Sequence, residues 1–220
     1  MVKNYRYAVI GAGNGGKAMA AYLALLGVQV TMFNRTASRV EIIRLRGGID
    51  LENPTEPRGF GKIYKVTDNM EEALREADIL MVVVPSTAHS DIARMAAPFL
   101  RDDHIVVLNP GRTGGALEFR YVLEQEDCTT NPIISEAETF IFASRSEGPS
   151  QARIFRIKEA VPLAALPATR TDEVLDAIRP VFPQFIHGKN VLQTGLNNMG
   201  AIFHPALALL NAGWIEATSG

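Results

Sequence analysis

Apolar residues fall in short, nearly continuous runs that alternate with stretches of helical period. The runs at 7–10, 28–33, 79–84 and 105–108 carry no charged residue. That is expected of strands buried on both faces of a parallel sheet. Between and after them, 14–26, 38–46, 70–77, 86–100 and 116–124 read as helices. Gly27 stops the first, Asp68 or Asn69 caps the third, and Pro85 parts the third long run from the helix after it. The segment 49–67 holds Gly, Pro and short strand-like pieces, and is expected to cover one edge of the sheet. Farther on, 133–135, 139–143, 154–157, 161–166 and 184–186 read as strands, and 172–179 as a helix. Strands that alternate with helices imply the α/β class, with a Rossmann-type, doubly wound and mostly parallel sheet.

From about residue 192 the pattern changes to helical and apolar, with Asn and His set among Ala, Leu and Ile. A boundary near Lys189 divides the chain into a dinucleotide-binding domain, 1–189, and the beginning of an all-helical second domain, 190–220. A stretch of roughly 30 residues is too short to build its own core. It is expected to dock on the first domain, pair with another chain, or belong to a larger, here incomplete, domain. No repeat or low-complexity tract appears.

Composition narrows the class. Hydrophobic residues make up 47% of the 220 and charged ones 21%, which supports a sizeable core and excludes a disordered chain. A formal net charge of -2 leaves no basic field to grip nucleic acid. Cys128 is the single cysteine, cannot form an internal disulfide, and fits a reducing cytoplasm. The apolar stretch 18–30 is too short to span a bilayer, and no basic leader precedes it. A soluble cytoplasmic protein with no membrane partner and no metal is expected.

The first chemistry lies between the first strand and the first helix. Gly11-Ala12-Gly13-Asn14-Gly15-Gly16 fits G-x-G-x-x-G at Gly11, Gly13 and Gly16, in the strand–helix context that the motif needs. Gly11 permits the tight turn, Gly13 lets backbone approach a pyrophosphate, and Gly16 allows helix to pack on strand. The helix N-terminus, at Asn14 and Gly15, offers free N–H groups to phosphate. An NAD site usually has Asp or Glu at the end of the second strand. Here Asn34, Arg35 and Thr36 stand there. Arg35 suits a 2′-phosphate, with Thr36, Ser38 and Arg39 as further contacts, so NADP is the expected cofactor and NAD the alternative. The plainer reading makes Arg35 and Arg39 solvated surface charges. Pro85-Ser86-Thr87 and Asn109-Pro110-Gly111-Arg112 fall at strand ends, where ligands bind in open α/β sheets, although such sequences also serve as ordinary turns.

Of four histidines, His104 is expected to be exposed beside Asp102 and Asp103, His187 structural, and His89, in the first turn of the helix after Pro85, at the surface, with a place along the cofactor cleft as the alternative. His204 is placed differently. Asn197, His204 and Asn211 are spaced by seven and share one face if the helix is continuous. Pro205 is expected to interrupt that helix at His204. The spacing leaves two readings open: a catalytic stripe, or a core histidine satisfied by Asn partners.

Three further stretches carry a resemblance. They are Asn109 to Gly115 (NPGRTGG), Ser135-Glu136-Ala137-Glu138-Thr139, and Asn197 through His204-Pro205 to Asn211-Ala212-Gly213. With the glycine fingerprint they resemble the opine dehydrogenase family, the octopine and nopaline dehydrogenase group, over essentially the whole chain. The resemblance implies an NAD(P)-dependent dehydrogenase acting on CH–NH bonds. Such enzymes condense a 2-oxo acid, often pyruvate, with the amine of an amino acid, and reduce the imine. It implies that His204 is the general acid/base, a role suited to imidazole near neutral pH. In the family an acidic residue from later in the chain pairs with it. Glu138 and Thr139 would contact substrate, with Thr139 on the oxo-acid carboxylate. Arg112 would hold a carboxylate or cover the cofactor, and Asn197 and Asn198 would orient His204 or the substrate. The family carries a complete helical second domain. Without it, Phe203, Leu207, Leu210 and Trp214 would stay partly uncovered, which favours dimerisation, as a homodimer, or aggregation. The small-molecule partners are then an oxo acid and an amino acid. Two other functions fit the residues: a non-catalytic NADP-binding sensor or partner module, and a reductase of a simple 2-oxo acid or ketone phosphate.

Overall fold

The computed structural model describes residues 4–218. Three short apolar strands form its centre: β1 (Tyr7–Ile10), then β2 (Val30–Phe33) on one side and, from farther along the chain, Ile79–Val82 on the other. All twelve of these residues are buried. Between β1 and β2 runs α1 (Asn14–Leu25), and α2 (Glu41–Arg46) follows β2. The chain then forms β3 (Gly48–Glu52), β4 (Gly59–Lys62) and β5 (Lys65–Thr67), and passes through α3 (Met70–Leu74) into Ile79–Val82, which is β6. Next come α4 (His89–Ala96), β7 (Ile105–Leu108), α5 (Gly115–Gln125) and β8 (Ile133–Ala137). A hairpin of β9 (Phe142–Gly148) and β10 (Gln151–Ile157) leads to β11 (Val161–Leu166), α6 (Thr171–Ile178) and β12 (Phe185–His187). Three helices follow: α7 (Val191–Leu196), α8 (Met199–Leu210) and α9 (Ala212–Thr218).

The main sheet has the order β12-β11-β8-β7-β6-β1-β2-β5. Its pairs are parallel except β11 with β8. The order reverses between β1 and β6, which makes that crevice the switch point where ligands bind. Alternate residues serve opposite faces. Val9, Met32, Met81 and Val107 belong to the apolar cluster that includes α1. Ala8, Ile10, Leu80, Val82 and Val106 belong to the one that includes α3, α4 and α5. Helices on both faces explain why these strands read as unbroken apolar runs.

The segment 49–67 does more than cover an edge. Its last part, β5, is the edge strand beside β2. Its earlier part joins β9 and β10 in a second sheet, β4-β3-β10-β9. That sheet packs on α1, and glycine makes the approach possible: a Cβ on Gly61 would press on the backbone of Ala21. Tyr22 of α1 stacks on Phe182 and meets Phe142 of β9, which fixes the hairpin over the helix. The strand expected at 139–143 starts only at Phe142. Before it, the Glu138 N–H donates to the carbonyl of Pro162, and the chain then bends away from the main sheet.

The C-terminal helices also correct the sequence reading. Asn197 ends α7, Asn198 precedes α8 and Asn211 ends α8, so no continuous helix face joins Asn197, His204 and Asn211. Asn tends to leave helices because its amide competes for backbone groups, and the Asn211 Nδ2 donates to the carbonyl of Leu207. Pro205 does not end a helix at His204. It lies inside α8, which gives up one backbone hydrogen bond there. No helix among the described residues is long and apolar enough to cross a membrane.

Candidate active site

The glycine loop sits at the switch point and each glycine has a separate cause. Gly11 has φ +114, and a Cβ there would collide with the Val83 carbonyl. A Cβ on Gly16 would collide with the Gly11 carbonyl, so α1 can lie on β1 only through glycine. At Gly13 no atom of a residue other than Gly13 and its two chain neighbours lies within 4 Å of where a Cβ would stand. Protein packing therefore leaves Gly13 free, and the space beside it is available to a ligand. No side chain caps the N-terminus of α1. Its first N–H groups and dipole end are left to an anion.

Two clefts adjoin this loop. The first, of about 310 Å³, is lined by Gly11, Phe33, Asn34, Arg35, Thr36 and Arg39 from one side and by Val84, Pro85 and Asp91 from the other. Asn34 is already engaged: its Oδ1 accepts from Ala12 N–H at 3.1 Å, and its Nδ2 donates to the Thr36 carbonyl at 3.0 Å. It replaces the usual carboxylate with a brace across the glycine loop. A carboxylate does enter this cleft, from a different element. Asp91 of α4 takes a hydrogen bond from Arg35 Nη1 at 2.9 Å. The sequence spacing gave no sign of it. Arg39 makes no ion pair among the described residues and lines both clefts.

The second cleft, of about 400 Å³, runs past Gly13, Asn14 and Gly15 to Val83, Pro85, Asn109, Pro110 and Phe140. Asn109 is 1% exposed, yet neither amide atom has a hydrogen-bond partner among the described residues. Buried amides are normally satisfied. An orphaned donor and acceptor in this cleft, an open Gly13 and an uncapped helix together fit a dinucleotide with a carboxamide end.

The next stretch of the Asn109 loop builds a third cleft, of about 220 Å³, lined by Arg112, Glu138, Thr139, Lys158, Asn197, Asn198, Met199 and Gly200. Arg112 has φ +61, an uncommon conformation for a residue with a side chain. Its Nη1 donates to Asn198 Oδ1 at 3.3 Å, and Asn198 Nδ2 donates to Thr113 Oγ1 at 3.3 Å. Glu136 supports the loop from beneath. It is 1% exposed and accepts from Ala116 N–H at 2.8 Å and from Thr194 Oγ1 at 2.7 Å. Gly111 packs on its side chain, and Gly195 of α7 lies against Arg112 O and Gly114 N. Burial holds the Glu136 carboxyl above the usual range, while the bonds from Thr194 and Ala116 pull it the other way.

His204 is exposed on α8. It stands four residues after Gly200, on the same helix face. A point just off the Gly200 Cα lies 3.4 Å from Arg112 Nη1 and 3.5 Å from His204 Cε1, so the imidazole faces the guanidinium across Gly200.

Known proteins share this architecture. The family of NAD-dependent glycerol-3-phosphate dehydrogenase N-terminal domains matches residues 6–110. An opine dehydrogenase of Arthrobacter sp. (strain 1C) is 40% identical over 217 residues, which is 99% of this chain and 60% of that protein. Over that length the chain is similar to an opine dehydrogenase. It spans about three-fifths of that relative. Octopine dehydrogenase solved with NADH and pyruvate superposes with a TM-score of 0.80 at 19% identity, over 96% of this chain and 56% of the other. Yersinopine dehydrogenase with NADP+ bound gives 0.78 at 16% identity, over 93% and 52%. The likeness to these two opine dehydrogenases is one of fold.

Most sequence-derived candidates converge. Gly11, Gly13, Asn14, Gly15, Asn34, Arg35, Thr36 and Pro85 line the first two clefts, while Gly16 acts behind them in packing. Arg112, Glu138, Thr139, Asn197 and Asn198 line the third. Two of the other histidines lie deeper than expected. His104 is fully buried, not exposed: its Nδ1 accepts from Arg101 N–H at 3.0 Å, Nε2 faces the Ala77 carbonyl at 3.1 Å, and burial lowers its pKa to about 4. His89 is buried too, against Gly115, with no hydrogen-bond partner for either ring nitrogen among the described residues. His187 is exposed at the end of β12, with Nε2 3.6 Å from Asp172 Oδ1. Lys158 was not anticipated at all. It follows β10 in a loop whose sequence carries no signal beyond an ordinary surface charge.

Proposed function

We propose that this chain provides the dinucleotide site and part of the substrate site of an NADP-dependent oxidoreductase. The reaction is the reductive condensation of a 2-oxo acid with the amine of an amino acid. The carrying observation is one loop shared by two clefts. Asn109 and Pro110 line the cofactor cleft, and Arg112, two residues on, lines the cleft that holds Thr139, Glu138, Asn197 and Asn198. The family's chemistry and the relatives solved with NADH, pyruvate or NADP+ agree with this reading. The expected division, 1–189 for cofactor and 190–220 as the start of the substrate domain, falls between β12 and α7.

Gly13, Asn14 and Gly15 would hold the pyrophosphate, with the N-terminus of α1 behind it. Arg39 and Arg35 would take the 2′-phosphate, which favours NADP over NAD, and Thr36 would flank it. Asn109 would hold the carboxamide end. Bound there, the reduced nicotinamide supplies hydride. Arg112 and Thr139 orient a carboxylate of the substrates, and Asn198 holds Arg112 in place. His204 gives a proton to the departing oxygen as the amine condenses, and takes one back in the reverse direction.

The test is NADPH oxidation at 340 nm with pyruvate and a pooled amino acid mixture, followed by mass analysis of the product. Turnover that needs both substrates and yields an N-(carboxyalkyl)amino acid supports the proposal. A hydroxy acid formed from the oxo acid alone overturns it in favour of simple reduction.

A further inference from the structure

We propose that Lys158, together with Arg112, is the anion anchor of the third cleft and takes the carboxylate of one of the two condensing substrates. This rests on the function proposed above. Four observations carry it.

Lys158 is fixed rather than trailing in solvent. Its N–H donates to the Ile141 carbonyl at 3.0 Å, which pins the residue where β10 leaves the hairpin. Its side chain then turns into the cleft, and Nζ donates to Thr139 Oγ1 at 2.5 Å. An ammonium has three donors, so further positions remain for a ligand.

Next, neither cation is tied up in an ion pair. Among the described residues no carboxylate comes within 4 Å of Lys158 or Arg112, whereas most other arginines of the chain form such pairs. Two cations on one small cleft repel each other, and an anion between them removes that cost.

The third observation is electrostatic and follows from the second. The Lys158 ammonium is held below the usual lysine range by partial burial, with the charge of Arg112 adding to the effect and Glu138 opposing it. A bound carboxylate would restore it.

Last, the cleft is graded. Glu138 lines it as well, and its Oε2 is buried with no hydrogen-bond partner among the described residues. Cations beside an unsatisfied carboxylate oxygen suit a pair of substrates of which one end is a carboxylate and another an amine. A carboxylate is the shared chemistry of the oxo acid and the amino acid, and the experiment separates them.

The experiment uses the full-length enzyme and its Lys158→Met and Lys158→Arg variants. One readout is steady-state kinetics with pyruvate and the best amino acid. Loss of a charge-assisted hydrogen bond predicts that KM for one carboxylate substrate rises by about 10- to 100-fold in Lys158→Met, with NADPH affinity unchanged and partial recovery in Lys158→Arg. A rise confined to pyruvate assigns the oxo acid; a rise confined to the amino acid assigns that instead. Unchanged KM values for both overturn the proposal; because a brace on Thr139 could also move KM, the second readout, protection of Lys158 itself, is what separates direct contact from bracing. The other readout needs no turnover. Lys158 is acylated by an amine-selective reagent in the presence of NADPH, and its peptide is followed by mass spectrometry. Pyruvate or the amino acid should protect it, and neutral methyl pyruvate should not. If the wild-type enzyme turns over no mixture, the proposed function falls. The anchor then stands if these carboxylates protect Lys158 and falls if they do not.

Discussion

Replacing Glu136 tests how the third cleft is held together. In Glu136→Ala the Ala116 N–H loses its acceptor, while the Thr194 hydroxyl keeps its contact with the Val191 carbonyl at 3.2 Å. One orphaned buried N–H costs about 1–3 kcal/mol, and the lost methylene contact adds roughly 0.8 kcal/mol. Relief of a buried carboxylate acts the other way, so a net loss of about 2–3 kcal/mol is expected. For a chain of this size that corresponds to a melting point lower by roughly 4–12 °C. Glu136→Gln should lose about 1 kcal/mol or less. Its amide oxygen can accept from Ala116, and its NH2 can donate to Thr194, whose own proton already has Val191. The pH dependence gives a separate check. The folded pKa of Glu136 is raised, so its contribution is fully present below the unfolded value and is lost as pH rises through the folded one. The wild type should therefore lose stability relative to Glu136→Gln across that window, and the gap should be flat above it. Thermal and urea unfolding at a series of pH values reads both effects. A wild type that gains on the Gln variant as pH rises would refute the assignment of burial as the dominant cause, and a melting point unchanged in Glu136→Ala would refute the hydrogen-bond account.

The glycine loop separates packing from ligand binding. Gly11→Ala should be strongly destabilised, because the new methyl meets the Val83 carbonyl at a positive φ, whereas Gly13→Ala should melt within about 2 °C of the wild type yet bind NADPH at least tenfold more weakly by calorimetry. Equal loss of stability in both would undo that distinction. His204→Ala should bind cofactor normally and turn over about a hundredfold more slowly; an unchanged rate removes His204 from proton transfer. Arg39→Gln should lower affinity for NADPH by roughly tenfold with little effect on NADH, and Asp91→Asn, by freeing Arg35, should raise NADPH affinity about two- to fivefold. Fluorescence titration with each nucleotide decides both, and a parallel loss for NADPH and NADH in Arg39→Gln would exclude a role for this arginine in 2′-phosphate recognition.

The cofactor half was legible because its logic is local. Strand, glycine turn and helix are consecutive, and the steric causes at Gly11 and Gly16 lie within the motif and the neighbouring strand. The parallel sheet was legible for the same reason, since burial on both faces leaves an unbroken apolar run. What failed depended on distant partners. Nothing in the sequence near His104 signals that Arg101 and Ala77 will enclose it, and Asp102 and Asp103 point a reader toward solvent. The second sheet pairs β3 with β10, a hundred residues later, over only three residues of each strand. Asp91 reaches Arg35 across 56 positions, so the residues that follow β2 carry no sign of it.

The substrate side shows the limit more sharply, because residues that look like separate motifs work as one unit. The stretch from Asn109 to Gly115 reads as a glycine-rich turn, yet it divides its side chains between two clefts. A left-handed Arg112 lets the loop reverse there, so that the Asn109 amide stays on the dinucleotide side and the guanidinium reaches Asn198. That conformation costs energy for any residue with a Cβ, and the surroundings must hold it. They do so from two directions: Glu136 lies under Gly111, and Gly195 of α7 closes over the Arg112 carbonyl. The same carboxylate bonds Thr194, one residue before that glycine. The position of α7, and hence of Asn197, Asn198 and the start of α8, is therefore set by the group that sets the loop. A change in Glu136 should move both walls of the cleft together, and the two motifs that the sequence offers as independent landmarks are mechanically a single one.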